Sequence, residues 1–157
     1  EHVMIVDLVR NDLGKVCQSG TVSVPRLLGV DGFWGVWHGV SKVRGTLAED
    51  KSPADLLAAL FPGGSITGAP KRRAMQIIAE LEGEGRGFYT GSLALLKPDG
   101  SVSASILIRT LVKDETGWNI SVGGGIVADS RPEREITETW EKVGVFKRLL
   151  SQALDGA

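Results

Sequence analysis

Residues Phe61–Leu81 read FPGGSITGAPKRRAMQIIAEL, and this stretch sets the reading of the chain. A glycine-rich turn, Gly63-Gly64-Ser65-Ile66-Thr67-Gly68, runs straight into a helical pattern. Ala74, Ile77, Ile78 and Leu81 fall at i, i+3, i+4 and i+7, which predicts a helix with one apolar face. Pro70 suits the first helical turn, where its missing N–H costs nothing. The turn therefore offers backbone N–H groups beside the positive end of a helix dipole, the setting in which anions bind. Lys71, Arg72 and Arg73 add three cations to that same end. They oppose the dipole and call for a negative group nearby. Arg72 and Arg73 read as arms reaching into water, and the turn itself as a seat for an anionic small molecule.

Working outward, Leu56, Leu57, Leu60 and Phe61 form the apolar side of a short preceding helix. Ser52 is its cap, Pro53 its first residue and Asp55 lies in its first turn. Further upstream, FWGVWHGVSKVRGTL predicts a strand with Trp34, Val36, His38 and Val40 on one face, and TVSVP a short strand stopped by Pro25. Glu1 to Asp12 predicts the end of a helix in which Glu1, Met4 and Leu8 share a face. That carries the Glu1 carboxylate inward, unless it is a solvated end. Downstream, Tyr89 to Leu96, a Pro98-Asp99-Gly100 turn, Val102 to Val112 and Trp118 to Val122 predict an antiparallel β meander. With the helices this gives an α+β class.

Three features of the second half carry chemistry. Arg109 closes an apolar strand, and a half-buried guanidinium needs an anion. A ligand carboxylate and one of the chain's own acids fit equally well. Gly123-Gly124-Gly125 admits close approach or positive φ. The closing helix, starting near Pro132, has Ile136, Trp140, Val143 and Leu150 as its core stripe. Glu135, Glu138 and Lys142 cluster on another face with Leu149 among them. Two carboxylates at i and i+3 can hold a hard divalent cation. A Glu138–Lys142 ion pair at i, i+4 is the commoner arrangement.

The 157 residues match one ordinary domain, with 42% hydrophobic and 24% charged residues. A net charge of −1 gives no electrostatic reason for a nucleic-acid or anionic-membrane partner. No stretch has the length of a membrane span. Cys17 is the single cysteine, so no internal disulfide forms and a reducing, cytoplasmic setting is expected. The first residue is Glu1 and an apolar segment begins at once, which reads as a piece of a longer chain. A phosphate-binding P-loop is excluded, because GGSITGAPK lacks the GK[ST] ending.

In order, EHVMIVDLVRND, VWHGVSKVRGTL, FPGGSITGAPKRRAMQII, RGFYTG, ILIRTLV, GGGIVADS and EREITETWEK resemble the C-terminal half of the chorismate-utilising enzymes. The resemblance spans residues 1–157 as the C-terminal portion of one chorismate-binding domain. It implies a Mg²⁺ site of Glu1, Glu135 and Glu138 holding the ring carboxylate, with Lys142 approaching that carboxylate. Tyr89, Arg109 and the Gly123, Gly124 and Gly125 backbone would take the enolpyruvyl carboxylate. Ser65 would touch the ligand, and His38 would stand near the departing group as the catalytic residue. The FPGGSITGAPK wording is most similar to the aminodeoxychorismate branch, which aminates chorismate toward p-aminobenzoate and folate. The anthranilate branch, which also expels pyruvate, is the alternative, and a non-catalytic binding module is a third reading. The aminodeoxychorismate branch implies a glutamine amidotransferase subunit or domain supplying ammonia. The branch's attacking lysine lies in a PIKGT-type motif that would precede Glu1, so the 157 residues alone are expected to show no turnover. Loss of the family's N-terminal half would leave apolar surface that favours self-association.

Overall fold

The computed structural model describes residues 1–33 and 36–155 and divides into two compact units. One comprises Glu1–Arg86 with Ser92–Ile106, the other Gly87–Gly91 with Leu107–Ala157. The expected α+β class with antiparallel pairing is observed. Among the described residues no helix is long and apolar enough to cross a membrane.

The first unit is built on α1, His2–Gly14, which packs against α2, Pro53–Leu60, α3, Gly64–Thr67, and the hairpin strand β2, Val36–Arg44. Helix α2 starts as its sequence requires. The Ser52 side chain accepts from the Asp55 N–H, and the Asp55 carboxylate accepts from the Ser52 N–H, closing a capping box. Strand β1 spans Ser23–Phe33 and pairs antiparallel with β2, His38 lying opposite Asp31. Pro25 therefore does not stop the strand. It sits between the Ser23–Arg44 and Arg26–Lys42 pairs, where the register shifts, so its missing N–H is accommodated at an irregularity. Trp34, expected on one face with His38, lies outside the described residues.

Two expectations for this unit are corrected. Glu1 precedes α1 at its N-cap position without a capping side-chain bond and is exposed, so its carboxylate is not carried inward. The inner face of α1 instead carries Val6 and Asp12. The glycine turn is not an open loop. Gly64–Thr67 form α3, in which Ile66 and Thr67 donate to the Gly63 carbonyl and Gly68 donates to that of Gly64. Those N–H groups are no longer available to an anion. Pro70 stands at the N-cap of the following helix α4, Lys71–Glu82, one residue earlier than expected. The apolar stripe of α4 is covered only in part: Ala74 and Ile78 are half-buried, Ile77 is 39% exposed and Leu81 81%.

Strands β3, Ser92–Leu96, and β4, Val102–Ile106, complete the first unit as a hairpin closed through Lys97 and Gly100. In the second unit β5, Leu111–Asp114, pairs with β6, Gly117–Ile120. The strand expected over Val102 to Val112 is interrupted after Ile106. Arg109 takes a φ of 51°, a left-handed conformation that cannot continue a ladder. Just before it, Leu107 exchanges backbone hydrogen bonds with Thr90 and Gly91, so its polar groups stay paired.

Helix α5, Pro132–Asp155, ends the second unit. Its expected core stripe is covered only in part: Ile136 and Trp140 are 58% and 64% exposed, whereas Val143 and Leu150 are half-buried. The half-buried side carries Glu135, Thr139, Lys142 and Phe146 at helical spacing. Among the described residues only Val6 and Val16 are buried apolar side chains.

Candidate functional site

The second unit gathers most of the sequence-predicted site residues around one short backbone stretch, Gly123-Gly124. The Tyr89 hydroxyl lies 2.9 Å from the point where a Cβ on Gly123 would stand. Glu135 Oε2 lies 3.0 Å from the corresponding point on Gly124, and Lys142 Nζ 4.0 Å from it. Neither glycine has a positive φ. What glycine allows here is close approach rather than an unusual backbone, because a Cβ would make the tyrosine hydroxyl and the carboxylate give way.

Helix α5 aims the charged groups. Lys142 Nζ donates to the Gly123 carbonyl at 2.8 Å and pairs with Glu138 Oε1 at 2.7 Å. Glu135 and Lys142 are half-buried, whereas Glu138 is exposed. The sequence left an ion pair and a cation site open for Glu138, and the ion pair is formed. Glu135 and Glu138, one helical turn apart, are hard oxygen donors of the type a small divalent cation takes, with waters completing the shell. Their chemistry and spacing fit Mg²⁺. Among the described residues no group of three His, Cys, Asp or Glu side chains is assembled as a metal site.

Tyr89 is half-buried, and the residue after it, Thr90, has a φ of 63°. Left-handed conformations at Thr90 and Arg109 are costly for residues bearing a Cβ, about 1–3 kcal/mol each, and such strain concentrates at functional positions. Arg109 is exposed and forms no ion pair among the described residues, so the expectation of a stranded, half-buried guanidinium is corrected. It stays hydrated and can still meet an incoming carboxylate.

Three candidates lie in the other unit. Glu1 is exposed, His38 is half-buried on β2, and Ser65 is exposed on α3. The glycines of α3 have a packing role. A Cβ on Gly64 would stand 2.8 Å from Leu8 Cβ, so α3 meets α1 only with glycine there.

Sequence reasoning missed Asp12. Its side chain is 3% exposed and accepts from Lys71 Nζ and Lys15 Nζ, each at 2.7 Å on a separate carboxylate oxygen. Burial pushes its pKa up, but the hydrogen bonds and charges of Lys15 and Lys71 outweigh it and the net shift is downward. Asp12 is the negative group that the cationic start of α4 called for. The signal was available, since Lys71 stands at the wrong end of a helix dipole, but nothing in the spacing named its partner.

The family model for chorismate binding enzyme matches residues 1–148. The chain belongs to the chorismate-binding enzyme family. Its relatives include anthranilate synthase component 1 of Spirochaeta aurantia, 47% identical over 96% of this chain and 31% of that protein. The Geobacillus stearothermophilus protein of the same name is 48% identical over 98% of this chain and 30% of its own length. The chain thus spans about a third of the length of the relatives it matches. Anthranilate synthase component I from Streptococcus pneumoniae superposes with a TM-score of 0.82 at 40% identity, covering 90% of this chain and 32% of that one. A putative 2,3-dihydroxybenzoate-specific isochorismate synthase, DhbC from Bacillus anthracis, gives 0.82 at 30% identity, covering 96% and 40%. The aminodeoxychorismate branch placed first by the FPGGSITGAPK wording is not the one these relatives name. They carry the name of the alternative.

Proposed function

We propose that the intact protein containing this chain is a Mg²⁺-dependent chorismate enzyme of the anthranilate synthase component I type. It would convert chorismate and ammonia to anthranilate and pyruvate, the ammonia coming from a glutamine amidotransferase partner. The observation that carries this reading is the convergence of Tyr89, Glu135 and Lys142 on the Gly123-Gly124 backbone within a chain whose relatives bear that name.

Chorismate is a dicarboxylate, and the residues divide its charge. Tyr89, Arg109 and the backbone N–H groups of Gly123 to Gly125 bind the enolpyruvyl carboxylate, the guanidinium matching its planar fork. Lys142 approaches the ring carboxylate. Glu135 and Glu138 would hold Mg²⁺ on that same carboxylate, where the ion would supply charge neutralisation and Lewis acidity toward hydroxyl departure. His38 is the candidate for moving a proton beside the departing group. Ser65 contacts the ligand through its hydroxyl.

A second reading, amination that retains the enolpyruvyl group, is favoured by the FPGGSITGAPK wording. Incubation of the intact protein with chorismate, Mg²⁺ and an ammonium salt, followed by chromatographic identification of products, separates the two. Anthranilate with equimolar pyruvate supports the first; 4-amino-4-deoxychorismate without pyruvate supports the second. No Mg²⁺-dependent consumption of chorismate refutes both.

A further inference from the structure

Lys142 stands where a cation on Glu138 would find its ligands. Its ammonium touches a carboxylate oxygen of Glu138 at 2.7 Å and the Gly123 carbonyl at 2.8 Å. It also lies 4.0 Å from the point where a Cβ on Gly124 would stand, and Glu135 Oε2 lies 3.0 Å from that same point. Carboxylate and carbonyl oxygens around one positive centre are the ligand set of a hard cation. A divalent ion on Glu138 and an ammonium on the same carboxylate repel each other at contact distance. The two charges cannot use Glu138 together at low cost.

We propose that Lys142 is the resident counter-cation of Glu138 and competes for that carboxylate with a divalent ion held by Glu135 and Glu138. The metal gains Glu138 only as Lys142 leaves, and the ammonium needs an anion to leave for. The ring carboxylate of the substrate is that anion. Metal and substrate therefore bind synergistically, each clearing the place the other needs, and by linkage each tightens the other by the same factor. The contact is suited to exchange. Glu138 is 58% exposed, so its pair with Lys142 is weak, while the Gly123 carbonyl keeps the ammonium close when unpaired. This inference rests on the metal and substrate reading proposed above.

The test measures Mn²⁺ binding to the intact protein by the electron paramagnetic resonance signal of the free ion, with and without chorismate. Lys142→Met keeps the length of the side chain and removes its charge, and Lys142→Gln is a second neutral variant should the first fold poorly by circular dichroism. The wild-type protein is expected to bind Mn²⁺ weakly alone and more tightly with chorismate. Each neutral variant is expected to bind Mn²⁺ alone about tenfold more tightly than wild type, the scale of one partly exposed pair and one charged hydrogen bond. Each should also lose the tightening by chorismate. Lys142→Arg keeps the charge and should stay weak. Neutral variants that bind Mn²⁺ no better than wild type, while Glu135→Gln and Glu138→Gln abolish binding, overturn the competition and leave the metal reading standing. An arginine variant as tight as the methionine one also overturns it. Mn²⁺ binding indifferent to Glu135→Gln and Glu138→Gln overturns both.

Discussion

Replacing Asp12 by Asn removes the charge that ties α1 to the start of α4 while keeping the shape of the side chain. The two carboxylate oxygens serve one lysine each, at 2.7 Å. An asparagine must turn its NH₂ toward one of the two ammonium groups, setting donor against donor. Breaking one side of a fully buried pair costs about 3–5 kcal/mol. Here Lys71 keeps 21% of its side-chain surface and Lys15 keeps 54%, so both cations recover some hydration. The Lys15 half falls in the range of an exposed pair, ~0–1 kcal/mol. A loss of about 2 kcal/mol at pH 7 follows for Asp12→Asn, most of it through Lys71. Urea unfolding followed by circular dichroism measures it, and a double-mutant cycle with Lys71→Met isolates the pair. The pH dependence is a second check. Burial raises the Asp12 pKa, the lysines lower it further, and the net folded value lies below the ordinary 3.8. A depressed carboxylate contributes fully above its unfolded pKa and loses that contribution as pH falls through the folded value. The penalty of Asp12→Asn should therefore shrink below about pH 4. A penalty under about 0.5 kcal/mol at pH 7, or one that persists unchanged into acid, refutes the reasoning.

Other substitutions probe the two glycine contacts and the arginine. Gly124→Ala places a Cβ 3.0 Å from Glu135 Oε2 and should weaken Mn²⁺ binding, read by the same resonance signal, with little change in unfolding free energy. Gly64→Ala brings a Cβ within 2.8 Å of Leu8 Cβ and should cost about 1–3 kcal/mol in urea unfolding while leaving divalent-ion binding intact. Arg109→Lys keeps the charge but loses the planar fork, and should raise KM for chorismate with a smaller effect on kcat. Arg109→Gly relieves the φ of 51°, so it should gain stability by unfolding while binding chorismate still more weakly than Arg109→Lys.

Local signals were legible in the sequence. The Ser52-Pro53-Ala54-Asp55 start gave α2 because its capping bonds are made within four residues. Likewise the Pro98-Asp99-Gly100 turn gave the β3–β4 hairpin, and the long stripe beginning near Pro132 gave α5. Which face of α5 is covered was not legible. Trp140 and Ile136 look like core by hydropathy, yet the covered side is set by Lys142 reaching Gly123 and Glu135 lying on Gly124, contacts 11 to 19 residues apart in the chain. Arg109 was misplaced for a related reason. Apolar alternation continues through Ile106 and Ile108, and nothing in composition announces a left-handed residue in its midst. Pro25 misled in the opposite direction, since a strand irregularity tolerates the proline that a regular ladder excludes. The glycines of the Phe61 stretch were correctly singled out, but Gly64 serves the contact with Leu8 and the helical turn uses the N–H groups assigned to an anion. Asp12 was hidden because its partner Lys71 is 59 residues away.

The proposed function requires a dicarboxylate and a divalent ion to meet at the polar face of α5. Calorimetric titration of chorismate into the intact protein, with and without Mg²⁺, in wild type and Glu135→Gln, tests this most directly. Saturable binding that Mg²⁺ tightens at least about tenfold, with the tightening lost in Glu135→Gln, is the expected result. Affinity that ignores Mg²⁺, or a Mg²⁺ effect that survives in Glu135→Gln, contradicts it.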